Sequence, residues 1–308
     1  VPLFAYHFLT TGGTTLSAGL EASGADSANF LNLMKNGDGS NNIVSVISGL
    51  GWGLGYFGMP HILVRFMAVR DEKEMTKSKA TAISWVALSL GFAVFIGTLG
   101  RAYLPELVNG NNEKVFIEMI KKVFTVEMRA PFIAGLFLCG ILAAIMSTAD
   151  SQLLVSASSV AEDIFKGLLK KDADDKTVMN VSRVTVLLVA VLAYIIAWNP
   201  NNTVMGLVSN AWAGLGAAFG PLVVMSLYWK RTNFPGAVAG IVTGALAVII
   251  WDYIPLVGGQ TLGKATGLDS LVVGFGLGLI AIIAVSLATK APSEEMLQEF
   301  EDVKANRL

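Results

Sequence analysis

The sequence predicts an all-α membrane protein that crosses the bilayer several times. Three observations carry that expectation. Of its 308 residues 54% are hydrophobic and only 15% charged, with a mean hydropathy of +0.61, whereas a soluble domain carries about 25% charged residues. The apolar residues come in long blocks separated by short polar stretches. The Lys and Arg residues collect in alternate connections between those blocks.

A membrane-spanning helix needs about 20 mostly apolar residues. Seven segments reach that length, at 43–67, 80–104, 131–163, 178–198, 204–229, 235–255 and 267–289. Residues 1–11 form an apolar stretch too short to cross and with no initiator Met before it. They read as the end of an earlier, truncated span, so the expectation is the C-terminal part of a longer protein. Residues 12–42 are rich in Gly, Ser and Asn and read as a loop. Between the second and third spans, KVFIEMIKKVF (114–124) is amphipathic and reads as an interfacial helix. The tail from Pro292 is acidic and then basic, a solvated helix or a disordered segment.

Cytoplasmic loops carry an excess of Lys and Arg. If each block crosses once, 15 of the 22 Lys and Arg fall in one set of alternate connections, from Arg65 to Lys79, Lys166 to Arg183, Lys230 with Arg231, and Lys290, Lys304 and Arg307. The other set holds Lys35, Lys264 and five residues between Arg101 and Arg129. The first set is therefore expected inside. That puts the C-terminus in the cytoplasm of a cell (plasma) membrane protein and residues 12–42 outside.

Composition also excludes classes. A net charge of −1 speaks against nucleic acid as a partner. Cys139 is the single cysteine and sits in an apolar run, where a small buried hydrophobe is the plain reading. His7 and His61 are far apart and form no ligand motif. There is no GxSxG, HExxH or phosphate loop, so enzymatic catalysis finds no support.

The first span reads NNIVSVISGLGWGLGYFGMPHILVRF. Gly49, Gly51, Gly53, Gly55 and Gly58 lie within ten residues, just before Pro60. Each Gly weakens a helix by about 1 kcal/mol relative to Ala, and Pro60 removes a backbone donor. The span is expected to unwind near its middle. Transporters use such discontinuous helices to expose backbone ligands. Trp52 and Tyr56, four residues apart, would add aromatic walls with an N–H and an O–H. The plainer alternative is that the glycines admit a neighbouring helix and that Trp52 belongs to an interfacial belt.

The third span, PFIAGLFLCGILAAIMSTADSQLLVSASSVAEDI, fills with hydroxyls in its second half. Ala144, Ser147, Thr148 and Ser151 follow an i, i+3, i+4, i+7 pattern and share one face. Oxygens within lipid are costly and usually face a cavity, a partner helix or a cation, and hard cations prefer oxygen ligands. A Ser/Thr packing seam is the alternative. Asp150 points away from the stripe, and its role is open. The fifth span, VMGLVSNAWAGLGAAFGPLVV, is rich in small residues, either for tight packing or as a flexible gate.

These residues resemble a known family. GWGLGYFGMPHILVRFMA and GILAAIMSTADSQLLVSASSVAEDIF are similar to the sodium:solute symporter family, and most to its sodium/proline symporters. GLVSNAWAGLGAAFGP, YWKRTNFPGAVAG and the KAPS of the tail support the likeness, which runs in order over the chain from about residue 40. The resemblance implies a core of two inverted repeats of five helices (5+5), with the first helix of each repeat broken. Residues 43–229 would then be the second five-helix repeat and 230–289 two additional helices, followed by a cytoplasmic tail at 290–308. The implied co-transported ion is Na⁺, held by the Ala144 carbonyl and the Ser147 and Thr148 hydroxyls. The implied substrate residues are Trp52, Tyr56 and Pro60. The first helix of repeat one, which supplies the remaining ligands, lies outside this sequence. The expected activity is Na⁺-coupled symport of a small amino acid, most simply proline, across the bilayer. A symporter of another solute and a transporter-like sensor domain are the alternatives.

Overall fold

In a computed structural model of the chain, residues 1–107, 112–199 and 203–305 are described; Arg307, counted above among the inside charges, lies outside them. Helices dominate, and the chain forms two compact units.

The first unit takes residues 1–41 and 68–199. Its helices are α1 (Pro2–Thr11), α2 (Leu16–Ala22) and α3 (Ser27–Phe30). After the segment belonging to the second unit, which contains α4 and α5, come α6 (Glu72–Tyr103), α7 (Val115–Ile120), α8 (Pro131–Ser158) and α9 (Asp175–Ala197). Helix α6 begins eight residues before the apolar block expected at 80. Asp71 caps it, accepting from the Glu74 amide at 2.8 Å, and the polar run after the cap is made of good helix formers. Both α7 and α8 continue as π-helix, over Lys121–Glu127 and Ser159–Leu169.

The amphipathic 114–124 segment is not free to lie on a membrane surface with its apolar side. Met119, Ile120, Val123 and Phe124 are buried at 0–2% exposure in a core shared with Ala5, Leu9, Leu20, Leu99 and Ala134. The 12–42 segment is more ordered than its composition suggests. Helix α2 packs on α6, the Arg101 guanidinium donates to Ser23 Oγ at 3.2 Å, and it stacks 4.9 Å over the Phe30 ring.

The second unit takes residues 42–67 and the chain from α10 onward. It contains α4 (Ile43–Gly51), a 3-10 turn (Trp52–Gly58) and α5 (Pro60–Met67). Then follow α10 (Val204–Tyr228), α11 (Phe234–Tyr253), a hairpin of β1 (Pro255–Val257) and β2 (Gln260–Thr261), α12 (Leu262–Thr266), α13 (Ser270–Ala288) and α14 (Glu294–Lys304). Polar side chains set the starts of these helices. Thr203, Asn233, Asp269 and Ser293 each accept a backbone N–H of the first turn, which satisfies donors the helix cannot. Helix α10 is the hub, packed against the 3-10 turn, α11 and α13. The tail is a helix, α14, tied back by Lys230 Nζ to Glu301 Oε1 at 3.0 Å.

Six helices among the described residues are long and apolar enough to cross a membrane, and α4 with α5 makes a seventh if the bent pair is one span. They fall in order on the seven apolar blocks read from the sequence, with the second starting earlier than expected and the third running on to Leu169.

Candidate functional site

The break in the first span falls where glycine and proline crowd the sequence. Helix α4 gives way at Trp52 to a 3-10 turn, Met59 is extended (φ −89°, ψ 111°), and α5 restarts with Pro60. The two halves meet at 57°. Met59 adopts the extended form because a residue before proline is driven from the helical region, and proline is at home in a first helical turn.

The glycines divide into two groups. A Cβ on Gly49 or Gly53 would meet nothing within 4 Å, whereas one on Gly58 would lie 2.7 Å from Gly216 Cα and 3.0 Å from the Gly220 amide. A Cβ on Gly55 would overlap the Trp212 indole, and one on Gly51 the Val272 side chain. Close packing thus accounts for Gly51, Gly55 and Gly58 but not for the other two. On α10, Gly216 and Gly220 lie against Gly55 and Gly58, so part of the small-residue stripe of the fifth span is a packing surface in this unit.

Trp52 and Tyr56 are brought together by a residue the sequence reading passed over. The Trp212 ring stacks on Trp52, with centroids 5.6 Å apart and planes at 13°, and meets Tyr56 edge-on at 4.8 Å and 84°. Its indole N–H donates to the Trp52 carbonyl at 2.9 Å. The available signal was the one tryptophan, Trp212, among the small residues of AWAGLGAAFG. Tyr56 is 48% exposed beside this contact. Pro60 is exposed at the start of α5.

The hydroxyl stripe belongs to the first unit. Ala144, Ser147 and Thr148 lie on an exposed face of α8 in that unit. Thr148 Oγ1 donates to the Ala144 carbonyl at 3.2 Å, and Ser151 Oγ to the Ser147 carbonyl at 2.9 Å. Such i−4 bonds satisfy a hydroxyl inside an apolar helix. They also gather oxygens in pairs on the same face. Asp150 is exposed in the same helix. Among the described residues, no cluster of His, Cys, Asp and Glu suits a transition metal.

A helical membrane protein with one span unwound at mid-length has the construction in which secondary transporters build solute sites. Comparison with known proteins narrows that class. The model of the sodium:solute symporter family matches residues 3–244, and the chain belongs to that family. It is 44% identical over 271 residues to the sodium/proline symporter of Escherichia coli (strain K12), covering 86% of this chain and 51% of that protein. It is 40% identical over 263 residues to the high-affinity proline transporter PutP of Bacillus subtilis (strain 168), covering 85% and 53%. It is 48% identical over 214 residues to sodium/proline symporter 2 of Staphylococcus saprophyticus subsp. saprophyticus, covering 68% and 41%. The chain therefore spans about half the length of the curated relatives it matches. No solved structure matches it.

Proposed function

We propose that this chain serves Na⁺-coupled uptake of a small amino acid, with proline as the substrate, in the cytoplasmic membrane. The observation that carries the reading is the unwound Trp52–Met59 segment with its aromatic cluster, in a chain of the sodium:solute symporter family. The relatives' names, sodium/proline symporter and proline transporter, favour the substrate.

In this reading Trp52, Tyr56 and Pro60 contact the substrate. The apolar pyrrolidine ring suits an aromatic wall, and the Tyr56 hydroxyl offers a polar partner. Na⁺ is bound as co-substrate by the Ala144 carbonyl and the Ser147 and Thr148 hydroxyls. A hard cation holding oxygens at about 2.3–2.6 Å sets ligands at right angles about 3.3–3.7 Å apart. The i−4 hydrogen bond between Thr148 Oγ1 and the Ala144 carbonyl keeps these two oxygens together on one face of α8. Na⁺ favours inward movement of substrate only if it binds the substrate-competent state more tightly than the alternative.

The arrangement along the chain is proposed to follow the same reading. Residues 1–11 end an earlier span, 12–42 are extracellular, 43–229 are the second five-helix repeat, 230–289 are two additional spans and 290–308 are a cytoplasmic tail. The charge distribution of the loops supports this orientation.

The test is uptake of labelled proline by the full-length protein in proteoliposomes, with and without a Na⁺ gradient and with other solutes as competitors. Na⁺-stimulated, saturable proline uptake is expected. Proline uptake indifferent to Na⁺ would reject the coupling, and competition by another solute alone would reject the substrate. Trp52→Ala and Tyr56→Ala are each expected to raise the half-saturating proline concentration at least fivefold, as loss of about 1 kcal/mol requires.

A further inference from the structure

We propose that Trp212 is a positioning residue: it latches the unwound turn of the broken helix from α10 and so sets the Trp52 and Tyr56 faces that meet substrate. The effect on substrate rests on the function proposed above; the latch itself rests on geometry within one unit.

Three contacts converge on this indole from one seven-residue turn. The indole N–H, the side chain's one donor, is directed at the Trp52 carbonyl across 160 positions of sequence. The ring lies nearly parallel to Trp52 and nearly perpendicular to Tyr56. It occupies the space where any side chain at position 55 would stand, so the glycine and the tryptophan are complementary. A 3-10 turn has poorer hydrogen-bond geometry than an α-helix, and backbone oxygens in an apolar setting are costly when poorly satisfied. A donor from a neighbouring helix stabilises the unwound form at the turn's first residue. Aromatic pairs in stacked and edge-on arrangements add stabilisation beyond simple burial. Without Trp212 the turn loses its fixed rotation, and the two candidate substrate residues lose their common reference.

The experiment uses the full-length protein in a background with native cysteines replaced, Cys139 among them, and Met59→Cys as reporter. Met59 closes the turn and is 3% exposed, so a membrane-permeant thiol reagent reaches position 59 only when the turn opens. Trp212→Phe keeps an aromatic ring, smaller than the indole, and removes the N–H. It is expected to raise the labelling rate about fivefold, equivalent to one hydrogen bond of about 1 kcal/mol at tenfold per 1.4 kcal/mol. In the protein without the reporter, it is expected to raise the half-saturating proline concentration severalfold with maximal rate and Na⁺ dependence kept. Trp212→Leu removes both contacts and is expected to exceed Trp212→Phe in both readouts. Unchanged labelling in Trp212→Phe overturns the latch, whether or not Trp212→Leu folds. Faster labelling with unchanged half-saturation, while Trp52→Ala and Tyr56→Ala do change it, overturns the positioning role. Failure of the substrate reading shows differently: those two variants leave half-saturation unchanged, and the labelling rate alone then decides the latch.

Discussion

The hydroxyl-bearing helix α8 and the broken span of α4 and α5 both carry candidate ligands, yet they hold them in opposite ways. Helix α8 is α-helical for 28 residues, and its oxygens come from side chains bonded one turn back and from the carbonyls they meet. Its candidate face is exposed within its unit. The broken span presents aromatic rings from a 3-10 turn, and glycines press that turn against α10. The difference teaches where function and folding can be separated. On α8 Ser147 and Thr148 are exposed within their own unit and take no part in its core. In the broken span the residues that shape the site also hold the second unit together.

Substitutions can break that comparison or sharpen it. The largest effect is expected from Gly58→Ala. The new methyl group would meet backbone atoms of α10 that have nowhere to move, at a cost near the upper end of overpacking penalties, about 3 kcal/mol. A thermal midpoint of the detergent-solubilised protein unchanged by this substitution would show that the two segments do not pack as described. Ser147→Ala and Thr148→Ala come next. Each is expected to raise the half-activating Na⁺ concentration about tenfold, since a bond to a charged group contributes about 1.5 kcal/mol or more. Protein abundance should stay near the parent's because the face is exposed in its unit. Na⁺ dependence that does not move would assign the stripe to packing.

A smaller effect distinguishes the two glycine groups. Gly53→Ala has open space at its Cβ, so it is expected to change stability by no more than about 1 kcal/mol, in the stabilising direction if the turn tolerates the lost backbone freedom. A loss as large as that of Gly58→Ala would contradict the division. The smallest effect is expected at Asp174, which caps α9. The Thr177 hydroxyl donates to it at 2.6 Å and holds its carboxyl below the ordinary value. A carboxyl lowered in the folded state stabilises above its unfolded value of about 3.9 and loses that contribution as pH falls further. Asp174→Ala should therefore lower the thermal midpoint slightly at pH 7 and have less effect below pH 4. An equal effect at both values would assign the cap's contribution to geometry rather than charge.

Much of the fold is legible from local sequence. The apolar blocks mark the spans, and Thr203, Asn233, Asp269 and Ser293 mark helix starts because a short polar side chain can accept the first free amides. The break is legible too, since Gly55, Gly58 and Pro60 each weaken a helix by backbone effects that need no partner. The stripe of Ala144, Ser147 and Thr148 follows from helical periodicity alone. Trp212 was not legible in the same way. Its role depends on a carbonyl 160 residues earlier, and no periodicity within one helix reports such a partner. Likewise, 114–124 shows an apolar face in sequence, but the choice between lipid and protein against that face is made by Leu99, Ala5 and Ala134 from other helices.

What the sequence determined by itself was therefore the apolar spans, in order and roughly in extent, and the place where one of them unwinds. These depend on propensity, capping and hydrophobic period, all read within a few residues. Tertiary structure decided which glycines bear a neighbour and which stand open, which aromatic closes on the unwound turn, and that residues 42–67 pack with the C-terminal helices. Those outcomes rest on close approach between segments far apart in the chain. Contact of that kind is fixed by shape in three dimensions, where a single methyl group at Gly58 is enough to forbid it.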